Sequence, residues 1–342
     1  MNGSLAIGID LGGTNLKVAV VDRQGRIAAQ QVGPTNAERG PQPIIEDMAA
    51  LANLVLRDAS SCGDCAGVGV GSPGPLSLRT GRVIRSANLP GWEDMPLRDL
   101  LAQRLSLPVI LENDANAAAY GEFWMGAGRD GADMVMLTLG TGVGSGVILD
   151  GRLVHGHFEN AGELGHMIVV PDGLPCGCGQ RGCLEAYASA TSVTRRVIAA
   201  MEEGKRQEAK GAILTPTSLR PGAGPLREAS RVPSSLAWDA STIADRARQG
   251  DPLCSRVWSE ACIYLAIACI SIQHAFNPAR VILGGGMAQA GAFLRDNVIQ
   301  ELHRRQWSLH SDLPAIVLAE LGPDAGVIGA AGLVFANCHE SW

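Results

Sequence analysis

The sequence predicts an α/β protein built from two related halves, on three observations. Strand-like runs alternate with helical ones along most of the chain. A glycine-tipped hairpin occurs twice with the same spacing, from Leu11-Gly12 to Asp22 and from Leu139-Gly140 to Asp150. The 342 residues also exceed what one core usually serves, and suit two domains of ~150 residues each.

The elements follow in order. Leu5 to Leu11 is β-rich and runs into Gly12-Gly13-Thr14-Asn15; Lys17 to Val21 is β-rich again, and Asp22-Arg23-Gln24-Gly25 makes a second turn. The opening is therefore read as strand, turn, strand, turn, strand. Ile44 to Arg57 has helical spacing, Gly67 to Val70 and Val109 to Leu111 read as buried strands, and a helix follows from Ala115 to about Met125. Met134 to Leu139 leads into the second glycine tip, Gly140-Thr141-Gly142-Val143-Gly144, and a further β run reaches Leu149. Near the C-terminus come a helix through Val257 to Phe276, a strand at Arg280 to Leu283, a helix from Ala288 to Arg305, a strand at Ala315 to Leu318 and a last helix from Ala325. The segment 204–238, with Pro216, Pro221, Pro225 and Pro233, lacks core periodicity and reads as a surface insertion or mobile loop.

Composition narrows the function. A net charge of −6 supplies no basic field for a polyanion, which argues against nucleic acid as a partner. With 46% hydrophobic and 18% charged residues the chain packs as a globule rather than a coiled coil or a disordered chain. The longest nearly apolar stretch, Ala261 to Ile272, is short of the ~20 residues that span a bilayer, so no membrane segment is expected. The first strand starts at Leu5 with no secretory leader before it, and a cytoplasmic protein is expected. In a reducing compartment the nine cysteines point to metal binding or core packing rather than disulfides.

Several groups can carry chemistry. The turn Asp10-Leu11-Gly12-Gly13-Thr14 exposes backbone N–H groups to which phosphate oxygens can approach, or is an ordinary tight hairpin. The second tip has a Gly-x-Gly-x-Gly pattern but is followed by a strand, so a dinucleotide fingerprint fails, and neither tip continues into the Gly-Lys-Ser/Thr of a P-loop. In Glu112-Asn113-Asp114, at the end of a strand and the start of a helix, Asp114 is a helix N-cap, a proton acceptor for a hydroxyl nucleophile, or both. His166 with Cys176, Cys178 and Cys183 supplies the Cys₃His set of a closed tetrahedral zinc site, which would be structural. Glu163 and Glu185 flank that cluster, placed either to accept hydrogen bonds from a polyol or to stand as solvated surface acids. Gly284-Gly285-Gly286, between a strand and a helix, suits close approach by a nucleotide or tight helix packing. Cys62-Gly63-Asp64-Cys65 is a loop feature; Cys254, Cys262 and Cys269 are core residues.

These pieces together resemble the ROK family of sugar kinases and regulators, from Ile7 to about Leu333. The specific parts are Asp10 to Thr14, Asn88-Leu89-Pro90-Gly91-Trp92, Glu112-Asn113-Asp114, Leu139 to Gly144, Ala161-Gly162-Glu163-Leu164-Gly165-His166, and the run Cys176 to Ser189. The resemblance implies the actin-like ATPase (ribonuclease H-like) fold, two duplicated α/β domains flanking a cleft. It divides the chain into a small domain of 1–113 plus 325–342 and a large one of 114–324 that holds the zinc loop 166–183. It further implies ATP with Mg²⁺, a structural Zn²⁺, a sugar substrate, and a homodimer or homotetramer. Asp114 matches the general base that takes a proton from the sugar 6-hydroxyl; Asn88, Asn113, Asp114, Glu163, His166 and Glu185 match sugar-binding positions. Asp10, Gly12, Gly13, Thr14 and Lys17 match the first phosphate motif, with Asp10 near Mg²⁺. Gly140, Thr141 and Gly142 match the second, and Gly284, Gly285 and Gly286 the adenosine region. The Asn88 to Trp92 run and Ala188-Ser189-Ala190-Thr191 look like the family's glucokinases more than its N-acylhexosamine kinases, which are the alternative. The family's sugar-responsive regulators carry a helix-turn-helix before the first glycine hairpin, where this sequence has Met1-Asn2-Gly3-Ser4, so that reading is expected to fail.

Overall fold

The computed structural model describes residues 3–86, 88–209, 238–307 and 312–337. The opening is the expected meander of β1 (Leu5–Leu11), β2 (Asn15–Asp22) and β3 (Ile27–Pro34), followed by helix α1 (Pro41–Asp58). Strand β4 (Cys65–Ser72) leads into a small antiparallel sheet of β5 (Leu76–Ser77), β6 (Arg82–Arg85) and β7 (Glu93–Met95), then α2 (Leu97–Leu105). Strand β8 (Val109–Asn113) runs directly into α3 (Asp114–Met125). The second half begins with β9 (Met134–Leu139), β10 (Val143–Leu149) and β11 (Arg152–Leu153). After these come α4 (Glu185–Ala188), α5 (Ala190–Ala209), α6 (Ala240–Arg248), α7 (Pro252–Phe276), β12 (Arg280–Gly284), α8 (Ala292–Arg305), β13 (Ala315–Leu318) and α9 (Ala325–Asn337).

The two large sheets have one strand order, β3-β2-β1-β4-β8 in the first and β11-β10-β9-β12-β13 in the second. In the first, β2 pairs antiparallel with β1 and β3, while β4 runs parallel to β1 and β8. In the second, β10 and β11 are antiparallel and β12 and β13 parallel. Each sheet thus has a glycine-tipped hairpin in the same place, the duplication read from the sequence.

The chain divides into two compact units, one of Met1–Met136, Ser145–Gly162 and Ala319–Trp342, the other of Leu137–Gly144 and Glu163–Leu318. Residues 114–136, 145–162 and 319–324 therefore join the unit of residues 1–113, a different division from the one the resemblance implies, which places them in the larger domain. The reason is packing: α3 lies so close to α9 that a Cβ on Gly121 would collide with the Ala325 carbonyl. Cutting the chain between Asn113 and Asp114 would part the helix from that partner.

Alternation along β1 builds the first unit. Leu5, Ile7, Ile9 and Leu11 point to one face and bury against Ile44, Ile45, Met48 and Val55 of α1 and its neighbours. Ala6, Gly8 and Asp10 alternate with them, and Ala6 packs with Val327, Ala331 and Val334 of α9. The small residues are needed there. A Cβ on Gly8 would strike the Val327 carbonyl, and one on Gly69 the Ala330 carbonyl, so α9 lies against the sheet almost backbone to backbone.

In the second unit α7 buries Val257, Trp258, Leu265 and Ile272 together with Cys254, Cys262 and Cys269. Burial pushes the last two thiols up to about 12, so they behave as small core hydrophobes. At 25 residues α7 is long and apolar enough to span a bilayer, which the shorter stretch Ala261–Ile272 alone is not; half of its most apolar part is buried inside the protein. Two helix boundaries also differ from the sequence reading. Gly291, at φ 62°, separates a 3₁₀ turn at Gly286–Ala290 from α8, which starts at Ala292 instead of Ala288. Helix α5 extends to Ala209, so the first residues of the expected insertion are helical, while 210–237 lie outside the described residues.

Candidate functional site

In the first unit the β1–β2 tip is closed by Gly12 N–H donating to the Asn15 carbonyl at 2.9 Å. Buried Thr35 clamps it from below, its hydroxyl donating to the Gly12 carbonyl at 2.6 Å and its N–H to that of Thr14 at 2.8 Å. Asn88 lies against Gly13, where a Cβ would come within 3.0 Å of the Asn88 side chain. Asp10, on the small-residue face of β1, meets the start of α9 at Gly326, whose missing side chain leaves room for its carboxylate. Burial pushes that carboxyl up from its ordinary value, against the pull of Lys17, its cross-strand partner. Lys17 does not stand open to a ligand: its ammonium ion-pairs with Asp324 Oδ1 at 2.8 Å and also bonds the Pro323 carbonyl.

The β8–α3 junction corrects one expectation. The N-cap is Asn113, whose Oδ1 accepts from Ala115 N at 2.9 Å and Asn116 N at 3.2 Å. Asp114 is the first helical residue, with Oδ1 accepting from Ala115 N at 2.9 Å. Sequence reasoning misses a residue here. Glu112 is 4% exposed and accepts from Asn113 N at 2.9 Å and Asn116 Nδ2 at 3.0 Å through Oε1. His155 Nε2 donates to its other oxygen at 2.7 Å. A charged residue closing an apolar strand was the available signal for Glu112; the sequence held none for His155.

The hydrogen bond to Glu112 pushes the His155 imidazole up from its ordinary 6.5, against burial. The stability this pair adds is therefore fully present below pH 6.5 and is lost as pH rises through the raised folded-state value. Thermal melts of the parent and His155→Asn are expected to differ most near pH ~6 and to converge by pH ~9. A gap that widens with pH would contradict this sign.

In the second unit the Gly140–Gly142 tip is tied by Gly140 N–H to the Gly142 carbonyl at 3.0 Å and by Ala190 N–H, at the start of α5, to the Gly140 carbonyl at 2.9 Å. Val143 N–H donates to Glu185 Oε2 at 3.0 Å, and a Cβ on Gly142 would collide with that carboxylate. The other glycine run comes to the same place. Gly285, at φ 80°, lies with no space for a side chain against the backbone of Leu139, immediately before the tip.

Beside it stands the cysteine loop. Ligand atoms of His166, Cys176, Cys178 and Cys183 all lie within 4.8 Å of one another, with Cys176 Sγ 3.7 Å from His166 Nδ1 and Cys178 Sγ 3.7 Å from Cys183 Sγ. Ligands held ~2.0 to 2.3 Å from a tetrahedral ion are themselves ~3.5 Å apart, so the set fits one divalent cation. Burial pushes the Cys176 and Cys183 thiols up, a penalty that a cation taking them as thiolates removes. The backbone holds the four together: Leu184 N–H bonds the Met167 carbonyl at 2.9 Å and Gly182 N–H that of Leu174 at 2.8 Å. Cys176 Sγ also reaches Glu185 Oε1 at 3.4 Å, so one carboxylate joins the loop to the second glycine tip. Glu163 is exposed, and its carbonyl accepts from His166 N at 3.0 Å.

Comparison with known proteins agrees with the motifs. The family model described as ROK family matches residues 6–337. A glucokinase of Halalkalibacterium halodurans is 36% identical over 96% of this chain and 94% of its own. An N-acetylmannosamine kinase of Shigella boydii is 33% identical over 95% and 96%. The crystal structure of a ROK family glucokinase from Streptomyces griseus, in complex with glucose and AMPPNP, superposes with a TM-score of 0.75 at 32% identity, over 96% of this chain and 98% of that one. The duplicated sheets are those of the actin-like ATPase fold. With motifs, fold and nearly the whole length in agreement, the chain belongs to the ROK family.

Proposed function

We propose that this protein is a glucokinase that transfers the γ-phosphoryl group of ATP to the 6-hydroxyl of glucose, giving glucose 6-phosphate and ADP. The observation that carries the reading is the β8–α3 junction, where Asp114 is held on the first turn of a helix capped by its neighbour, in a chain 36% identical to a glucokinase over nearly its whole length. Asp114 takes the proton of the attacking hydroxyl as the new P–O bond forms and the bond to ADP breaks. Asn113 offers the sugar its Nδ2, since its Oδ1 already accepts two N–H groups. Asn88, Glu163, His166 and Glu185 supply the remaining hydroxyl contacts.

His166 serves twice in this account. Nδ1, the nitrogen nearest Cys176, faces the metal set, which leaves Nε2 for a sugar hydroxyl. A bound Zn²⁺ would be structural, holding His166, Cys176, Cys178 and Cys183 and thereby the loop that presents Glu185. The tips Gly12-Gly13-Thr14 and Gly140-Thr141-Gly142 cradle the phosphates: the N–H groups of Gly12 and Gly140 close the tips on Asn15 and Gly142, and those of Gly13, Thr14, Thr141 and Gly142 donate to phosphate oxygens. Gly284, Gly285 and Gly286 lie by the adenosine, and Asp10 near Mg²⁺, which neutralises phosphate charge. Lys17 contributes its positive field near Asp10 while its ammonium stays on Asp324. We place the enzyme in the cytoplasm as a homodimer or homotetramer.

Glucose is expected to be preferred over N-acetylmannosamine and N-acetylglucosamine by at least ~10-fold in kcat/KM, because a pocket built around a bare 2-hydroxyl gives an acetamide neither volume nor partners. Initial rates with the three sugars at equal ATP test this. A higher value for either N-acetyl sugar would favour the N-acylhexosamine kinase reading, which the Shigella boydii likeness at 33% identity supports, and would leave the phosphoryl-transfer mechanism in place.

A further inference from the structure

Two residues before Asp114 stands a buried carboxylate, Glu112, paired with the partly exposed His155 in a contact that the phosphoryl-transfer mechanism does not use. Glu112 occupies both of its carboxylate oxygens. Oε1 accepts the Asn113 N–H and the Asn116 amide, and Oε2 accepts from His155 Nε2. Asn113 and Asn116 flank Asp114 on either side, and the Asn113 side chain in turn fixes the N–H groups of Ala115 and Asn116. The residues on either side of Asp114 are thereby tied to Glu112, Asn113 through its N–H and Asn116 through its amide.

The other end of the pair is equally fixed. The His155 carbonyl accepts from Ala161 N at 2.9 Å, which closes its loop on itself. Asn160 Oδ1 accepts from Leu76 N at 2.8 Å and its Nδ2 donates to the Leu76 carbonyl at 3.0 Å. Glu159 Oε1 accepts from Arg79 N at 3.1 Å. The loop that delivers His155 is therefore pinned to strand β5 and the turn after it, all within one compact unit.

We propose that Glu112 and His155 are positioning residues which, by bracing the β8–α3 junction against the pinned 155–161 loop, hold the Asp114 carboxylate at the attacking hydroxyl. The proposal rests on Asp114 being the general base. A buried carboxylate paired with a histidine adds little net stability over a well-packed apolar pair, so stability alone does not account for it. What it adds is a defined geometry. The first turn of α3 is held by hydrogen bonds from a group that is itself held on both oxygens, and an error of ~1 Å in a reacting group costs ~10²-fold in rate.

The test compares Glu112→Ala, His155→Ala, His155→Gln and Asp114→Asn in the full chain, reading kcat, the KM for glucose and for ATP, and the melting temperature. Glu112→Ala and His155→Ala are expected to lose ~10-fold or more in kcat, with both KM values within about twofold of the parent. His155→Gln, whose amide can donate to Glu112, is expected to recover most of that loss. A merely structural pair would lower the melting temperature without this split and without the rescue. If folded Glu112→Ala and His155→Ala keep the parent's kcat while Asp114→Asn is inactive, the positioning role is wrong and the general base stands. If Asp114→Asn itself turns over normally, the general-base reading falls and the positioning role with it. Should Glu112→Ala not fold, the two His155 variants decide, because that side chain is about one-third exposed and its removal opens no closed core.

Discussion

Asp114→Asn is expected to fold like the parent, bind glucose with an unchanged KM, and lose about 10²- to 10⁴-fold in kcat. The structure separates the two jobs that the sequence left joined at this position. Capping belongs to Asn113, so the substitution removes no cap. The bond from Ala115 N to Asp114 Oδ1 can pass to an amide oxygen. What remains is the charge on the first helical turn, worth ~0.3 to 1 kcal/mol of stability through the helix dipole, and the capacity to accept a proton. The first loss should lower the melting temperature slightly; the second should remove turnover. Steady-state kinetics beside a melt distinguish them, and a folded variant with near-parental kcat would contradict the assignment.

The second large effect is expected from the cysteine loop. The protein is expected to hold one tightly bound zinc per chain, and Cys178→Ala to lose it together with at least ~10²-fold in kcat/KM, since disturbing groups behind metal ligands alone costs ~10- to 100-fold. Cys178 is exposed whereas Cys176 and Cys183 are buried, so the change opens no cavity in the core and its effect reads out the loop. Glu185, two residues after Cys183, accepts from Val143 N and so joins the loop to the second glycine tip. Disorder there should raise the KM for ATP as well as for glucose. Elemental analysis that finds fully active protein without metal would contradict the ligand set.

Much of this arrangement was legible because backbone chemistry demands particular residues. The paired hairpins showed through their glycines, and the metal set through three closely spaced cysteines preceded by a histidine. Helices α1, α3, α7, α8 and α9 and the buried strands showed through their periods, whereas α5, 20 residues long, did not. What stayed hidden lacks a local signature. The sheet of β5, β6 and β7 is made of strands two to four residues long, too short for alternation to register. The N-cap was misplaced by one residue because Asn and Asp are equally good caps, and only the hydrogen bonds from Ala115 and Asn116 decide between them. The Glu112–His155 pair joins residues far apart in the chain, and no spacing rule connects a strand's end to a distant loop.

Transfer of a phosphoryl group from ATP to glucose is read out by incubating the purified full chain with glucose, ATP and Mg²⁺ and measuring glucose 6-phosphate through a coupled dehydrogenase, beside ADP release. Equimolar glucose 6-phosphate and ADP are expected, abolished in Asp114→Asn. Folded, zinc-loaded protein that forms no sugar phosphate from glucose or from any hexose or N-acetylhexosamine offered would contradict the proposed transfer.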